Sequence, residues 1–184
     1  MKRARVFKII GITLALIIIL FIGLIGFGYY RYQKAFDTTN KPYKNYIGYI
    51  NQENALLNST YKLCNEGEIY HTYSSAGLKA YAGSKKQFRD KIKSKFNNNN
   101  YTDSGYVNFR FLVNCEGQAG WFEIIKMDLN LQETGLNQNM VDDLFRLTSK
   151  PEHWNIIKHK GKPQNYYMYV SYRIEDGKIT EIIP

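Results

Sequence analysis

Three histidines, two cysteines and a few acidic and hydroxyl pairs are the residues of this 184-residue chain whose types suit chemistry. A general base needs an orienting partner within hydrogen-bond reach. His153 stands directly before Trp154, and His159 lies in the basic stretch Lys158-His159-Lys160, so neither has a neighbour suited to a catalytic dyad. Asp142-Asp143 falls in a stretch of helical spacing, where an adjacent acidic pair reads as a solvated face rather than as acid-base carboxylates. Ser74-Ser75, Gly77 and Gly83 lack a phosphate-binding context, and the sequence has no G-x-S-x-G, H-E-x-x-H or Walker-type loop. The expectation is a protein that is not an enzyme and holds no cofactor or metal.

Cys64 and Cys115 are an even pair, and in an oxidising compartment a disulfide between them would close a loop of about 50 residues, worth roughly 4 kcal/mol. Two buried free thiols or a metal site are the alternatives. With His71, His153 and His159 the only imidazoles and no C-x-x-C spacing, zinc fits poorly.

The elements that position these residues begin with a membrane segment. Ile9 to Tyr29 carries no charged residue, and 21 residues at about 1.5 Å each give roughly 31 Å, the hydrocarbon thickness of a bilayer. Lys2, Arg3, Arg5 and Lys8 precede it, and Tyr29, Tyr30 and Tyr32 with Arg31 follow as an interfacial belt. By the positive-inside rule residues 1–8 form a cytoplasmic tail, 9–30 a transmembrane helix anchored in the lipid bilayer through residues such as Ile9, Leu16, Phe21 and Tyr29, and the remainder is exported. A cleaved signal peptide is the rival reading, but the apolar run is long and no A-x-A-like site follows it. Within the helix Thr13 is the only hydroxyl of the apolar run, and Gly11 and Ala15 form one small-xxx-small pair of a kind common by chance.

Of the formal net charge of +9, four units belong to the membrane flank. About +5 is left over the rest, with no block of five or six like charges, so nucleic acid is not an expected partner. Aromatic residues make up 15% of the chain, including sixteen tyrosines, which favours a sheet.

Residues 31–45 read as a short linker and 46–80 as a membrane-proximal part of the exported domain, with a helix through Ile50, Asn54, Leu57 and Tyr61. A clearer helix opens at Ser84, a candidate N-cap with Gln87 three residues on, and Phe88, Ile92 and Phe96 share one face. From Tyr106 the period becomes two, with Val107, Phe109, Phe111 and Val113 opposite Asn108, Arg110, Leu112 and Asn114. A turn containing Gly117 and Gly120 leads into a strand from Trp121 to Met127. Residues 137–148 return to helical spacing through Met140, Leu144 and Leu147, and Pro151 stops them. Tyr166 to Ile174 alternates again, with Met168, Val170, Tyr172 and Ile174 inward and Tyr167 and Tyr169 outward, either as a binding surface or as cross-strand packing. Asp176-Gly177 signals a hairpin into Ile179 to Ile183. This order predicts an α+β domain, an antiparallel sheet with helices on one face. Asn58-Ser59-Thr60 and Asn100-Tyr101-Thr102 match glycosylation acceptors, which matter only in a eukaryotic setting.

The stretch from about Tyr81 to Ile174, within a domain expected over residues 81–184, resembles the TonB C-terminal domain family in the version common in Bacteroidota envelope proteins. The landmarks are Gly105-Tyr106-Val107-Asn108-Phe109-Arg110-Phe111-Leu112-Val113, the turn at Glu116-Gly117, the helix around Met140 to Leu147, Trp154, and Gly161-Lys162-Pro163 before Tyr166 to Tyr172. The resemblance implies a periplasmic domain, held by one inner-membrane helix, that binds other envelope membrane proteins by adding a strand at an edge. The partner-binding residues would then lie along the last regular strand, at Tyr166, Tyr167, Tyr169, Ser171 and Arg173. An outer-membrane transporter and an inner-membrane motor complex are the family's partners. This chain departs from the pattern in its short connector with only Pro42, in a membrane helix without histidine, in Asn100-Tyr101-Thr102 where the family has Tyr-Pro, and in the hairpin at Asp176-Gly177. These departures point to an accessory or structural subunit of an envelope transport or secretion complex, with a TonB-type energy transducer and a membrane-anchored periplasmic enzyme as the alternatives.

Overall fold

The computed structural model of the chain describes residues 2–35, 50–51, 53–64, 68–72 and 79–183, with side chains from residue 6 onward. It divides into two compact units, Met1–Tyr46 and Ile47–Pro184.

In the first unit a single helix, α1, runs from Lys2 to Ala35. Between Val6 and Ala35 it is long and apolar enough to span a membrane, consistent with a single-pass anchor. Ile9, Leu16, Phe21 and Tyr29 are all exposed along it, as a lipid-facing surface requires. Thr13 returns its hydroxyl to the Ile9 carbonyl at 3.0 Å, so even this polar group is satisfied within the helix.

The second unit is a mixed α/β domain. Its described strands are β1 (Ala55–Leu56), β2 (Ile69–Tyr70), β3 (Gly105–Val113), β4 (Ala119–Met127), β5 (Lys158–His159), β6 (Lys162–Pro163), β7 (Asn165–Glu175) and β8 (Lys178–Ile183), and the helices described over their full length are α2 (Lys85–Lys95) and α3 (Gln138–Thr148), with Lys79 and Ala80 also helical. The main sheet has the order β1-β4-β3-β7-β2, with β8 also on β7, while β5 and β6 form a separate hairpin.

The centre of the sheet is β3, paired antiparallel with β7 from Gly105↔Ile174 to Val113↔Tyr166. Strict alternation sends Val107, Phe109, Phe111 and Val113 of β3 and Met168, Val170, Tyr172 and Ile174 of β7 into one core. Onto that face α2 contributes Phe88 and Ile92, and α3 contributes Met140, Val141, Leu144 and Leu147. Phe122 stacks on Phe111 at 4.4 Å and meets Phe145 edge-on at 4.9 Å. Polar groups in this core pair with one another: Thr148 and Tyr172 share a 2.7 Å hydrogen bond, and the Trp154 indole donates to the Thr148 carbonyl at 3.0 Å.

Ends and turns follow their local chemistry. Ser84 accepts from the Gln87 N–H at 3.1 Å and starts α2, and Asn137 caps α3 by accepting from Asn139 and Met140. Between β7 and β8 the turn residues Asp176 and Gly177 have φ of 49° and 69°, the left-handed pair of a two-residue hairpin closed by Glu175↔Lys178. Pro151 does end the helical stretch, and it opens a single 3-10 turn, Pro151–His153.

Three expectations are corrected. The helix through Ile50, Asn54, Leu57 and Tyr61 is not formed in the described residues, which make turns and β1. There Asn51 accepts from the Glu53 N–H at 3.0 Å and Asn58 from the Thr60 N–H at 2.8 Å, local bonds that compete with helical ones. The sheet is not wholly antiparallel, because β2 lies parallel to β7 at Ile69↔Asn165 and Tyr70↔Tyr166. The second strand is longer than expected and bulged: Arg110↔Glu123 is followed by Leu112↔Gly120, and Trp121 takes the extra position with φ 52°. The linker expected at 31–45 falls largely outside the described residues.

Candidate functional site

One face of the sheet carries the helices; the other holds the candidate site. The alternate residues of β3, β4 and β7 turn Tyr106, Asn108, Arg110, Ile125, Met127, Tyr167, Tyr169 and Ser171 toward a groove of about 620 Å³, with Leu131, Ile183, His71, Thr72 and Ile50 at its margins. The lining is apolar and aromatic with a few polar side chains, the composition of a site that recognises shape and hydrophobic surface. Leu131 is 63% and Tyr169 48% exposed, whereas Ile50 is 3% exposed.

The polar members are ordered. Arg110 faces Glu123 across the β3–β4 ladder at 3.7 Å, and the Asn108 amide donates to the Ile125 carbonyl at 3.4 Å. His71 stacks on Tyr167 with ring centroids 5.3 Å apart and planes 14° apart. Arg173 pairs with Glu175 at 2.7 Å.

Of the expected partner-binding residues, Tyr167, Tyr169 and Ser171 line this groove, and Arg173 lies farther along the same side of β7. Tyr166 does not join them. Alternation turns it into the core, where it is fully buried and its hydroxyl donates to the Asn155 carbonyl at 2.6 Å; burial also raises its pKa. Tyr106, Ile125, Met127 and Leu131 were not anticipated as site residues. The alternation of β3 marked the face of Asn108 and Arg110, but the exposure of that face depends on where the helices pack.

The outer edge of β7, where strand addition was expected, is shared out. Beside Asn165 and Tyr166 lies β2, the Thr72 hydroxyl donates to the Tyr167 carbonyl at 2.7 Å, and β8 takes Ser171 to Glu175. Met168, Tyr169 and Val170 are what remains between them among the described residues. At the opposite edge β1 pairs with Phe122 and Glu123, and the loop after β4 folds back through Met127↔Glu133 and Thr134 N–H to Lys126 carbonyl at 3.2 Å.

Cys64 and Cys115 lie at disulfide distance, with sulfurs 2.04 Å apart. Two buried asparagines prepare this junction. Asn165 accepts from the Cys64 N–H at 3.1 Å and donates to the Glu68 carbonyl at 3.2 Å, while Asn114 donates to the Lys62 carbonyl at 3.1 Å and caps the Glu116 and Gln118 N–H groups. The remaining residues with chemical potential have structural settings. His153 is buried between Phe88 and Trp154, and burial, reinforced by nearby Lys91, Lys95 and Lys150, pushes its pKa down against the opposing pull of Glu152. Asp143 is held below the usual carboxylate range first by its 2.9 Å hydrogen bond from Arg146, with Tyr101 and Asn99 adding to it. Asp142 accepts from Gln138 at 2.8 Å, and His159 packs against Tyr70. Among the described residues no three His, Cys, Asp or Glu side chains cluster so as to hold a metal ion. Ser74-Ser75 and Gly77 lie outside the described residues. Comparison with known proteins found no match for this chain among protein-family models, curated proteins or solved structures.

Proposed function

We propose that this chain is an inner-membrane-anchored periplasmic protein-binding subunit with a TonB-like C-terminal domain, an accessory or structural component of an envelope transport or secretion complex. The carrying observation is the groove on the face of the sheet opposite α2 and α3, where Tyr106, Tyr167, Tyr169, Ile125 and Met127 present apolar and aromatic surface that a monomeric domain ordinarily buries. Aromatic residues in a preformed concavity are typical anchors of protein recognition. The basic flank before α1 favours an N-terminus in the cytoplasm. The accessory reading is preferred to an energy transducer because α1 carries no ionisable side chain between residues 9 and 28 to couple to a proton-driven motor.

The test is a photoreactive residue at Tyr169, irradiated in intact cells and followed by purification from membranes. Crosslinking to an envelope membrane protein in an assembly without a proton-driven motor is the expected result. Recovery of an outer-membrane transporter together with such a motor would replace this reading with the transducer, and turnover of a substrate by the purified chain would replace both.

A further inference from the structure

Charge in the second unit is segregated. From Ile47 to Pro184 there are seventeen Lys and Arg against fifteen Asp and Glu, a net +2. The eleven residues of α2 hold six of those cations, Lys85, Lys86, Arg89, Lys91, Lys93 and Lys95, against Asp90 alone, a net +5. The rest of the unit, eleven against fourteen, is therefore net −3. The cations crowd one short stretch of sequence, and at about 100° per residue the helix places Lys86, Arg89 and Lys93 within about 60° of one another and Lys91 and Lys95 on its other flank.

The cations face outward. Phe88 and Ile92 are the buried residues of α2, and Lys86, Arg89, Lys91, Lys93 and Lys95 are exposed. Partial neutralisation comes from Glu152, 3.1 Å from Lys95, and Lys150 adds another cation close by in sequence. Lys85 and Lys86 also occupy the first turn, which has no acidic residue. The N-terminus of a helix is its positive end, so cations there oppose the dipole. A local rule broken in this way marks a functional demand on the surface.

We propose that the basic surface of α2 docks on anionic phospholipid headgroups of the membrane that α1 anchors. Residues 36–46, which follow α1 within the first unit, can span at most about 40 Å, so the second unit is tethered to the membrane that α1 anchors. Tethering supplies an effective concentration in the millimolar range. Each Lys or Arg near an anionic surface adds about a fivefold preference. The three cations that share one side, Lys86, Arg89 and Lys93, together give a preference on the order of a hundredfold, enough to bias a tethered helix toward the surface. The attraction acts over a Debye length of about 8 Å at physiological salt and is screened at higher salt.

The inference rests on the α1 anchor and is independent of the groove. It is tested on the full chain reconstituted into vesicles of phosphatidylcholine alone or with phosphatidylglycerol, by acetylating lysines with a membrane-impermeant reagent and reading each site by mass spectrometry. Co-flotation with the neutral vesicles reports the anchor separately. Lys86 and Lys93 are expected to be at least fivefold less reactive in the phosphatidylglycerol vesicles, with Lys62 and Lys126 unchanged and the protection lost in 0.5 M salt (about 4 Å Debye length). Equal labelling in the two vesicle types overturns the proposal. So does protection that persists in neutral vesicles and in high salt, which would assign the surface to a protein contact. The K86Q/R89Q chain, probed at Lys93, is expected to lose the difference between vesicles, and its retention would overturn the proposal equally.

Discussion

Breaking the Cys64–Cys115 bond should destabilise the second unit by about 4 kcal/mol. The two cysteines are 51 residues apart, and the loop-closure entropy that the crosslink removes from the unfolded chain amounts to about 4 kcal/mol at 25 °C for a loop of that length. Urea unfolding of the full chain in detergent, with and without reductant, measures it. Trp121 and Trp154, the chain's two tryptophans, are both buried in this unit and report its unfolding by fluorescence. With a slope of about 2 kcal/mol per M urea, the midpoint should fall by roughly 2 M on reduction. The slope itself should rise, because the unfolded chain, released from its loop, exposes more surface. Asn165→Ala is the contrast: it leaves the Cys64 N–H and the Glu68 carbonyl without their partner, costing about 1–3 kcal/mol, and leaves the slope as it was. A midpoint shift under about 0.5 M, with free thiols verified by mass, would refute the loop-closure argument.

Two further outcomes follow from local geometry. Gly177→Ala should cost about 1–3 kcal/mol in the same urea assay, because φ is +69° there and an added Cβ would collide with the Tyr101 backbone. Stability should also fall in mild acid. The folded-state pKa of His153 lies below its ordinary value near 6.5, so below that pH the unfolded chain binds the proton more readily. The loss begins as pH drops through about 6.5 and levels off once pH passes the folded pKa; Asp143, whose pKa is also lowered, adds a further loss when pH approaches the ordinary carboxylate value near 4. His153→Phe, which keeps the edge-on ring contacts with Phe88 and Trp154, should remove the first step in thermal melts from pH 7.5 to 3.5 and leave the second.

What was legible in the sequence was local. The period-two run of β3, the Ser84 cap, the Asp176-Gly177 turn and the apolar face of α3 each state their structure in a few adjacent residues, and each forms as read. Tyr167 and Tyr169 were assigned to the open side of β7 by alternation alone, and the same alternation, applied consistently, sends Tyr166 to the core. What was not legible depends on distant parts of the chain. The parallel pairing of β2 with β7 spans nearly a hundred residues, and two-residue strands have no periodicity to detect. The bulge at Trp121 answers to Tyr61, whose ring fills the space where a Cβ on residue 120 would stand. The cations of α2 are visible in the sequence as a dense stretch, but which of them share a side, Lys86, Arg89 and Lys93, is set by helical geometry and by the burial of Phe88 and Ile92.

The covered edge of β7 decides how the proposed partner would be recognised. Strand addition draws its affinity from a run of unpaired backbone groups, yet β2, the Thr72 hydroxyl and β8 leave only Met168 to Val170 between them. A strand of three residues offers about two outward hydrogen bonds, each worth about 1 kcal/mol net, too little to hold a protein by itself. Side chains on the open face offer more: a buried aromatic or aliphatic anchor contributes about 2 kcal/mol or above, a thirtyfold effect. The two modes separate on Met127→Lys. That side chain lies in the groove but on β4, two strands away from the β7 edge, and replacing it leaves every backbone group of β7 in place. With a photoreactive residue at Ser171, face recognition predicts at least a tenfold loss of crosslinked product in cells, and recognition at the edge predicts a yield unchanged within about twofold. An unchanged yield would return the site to the β7 edge and set the groove aside.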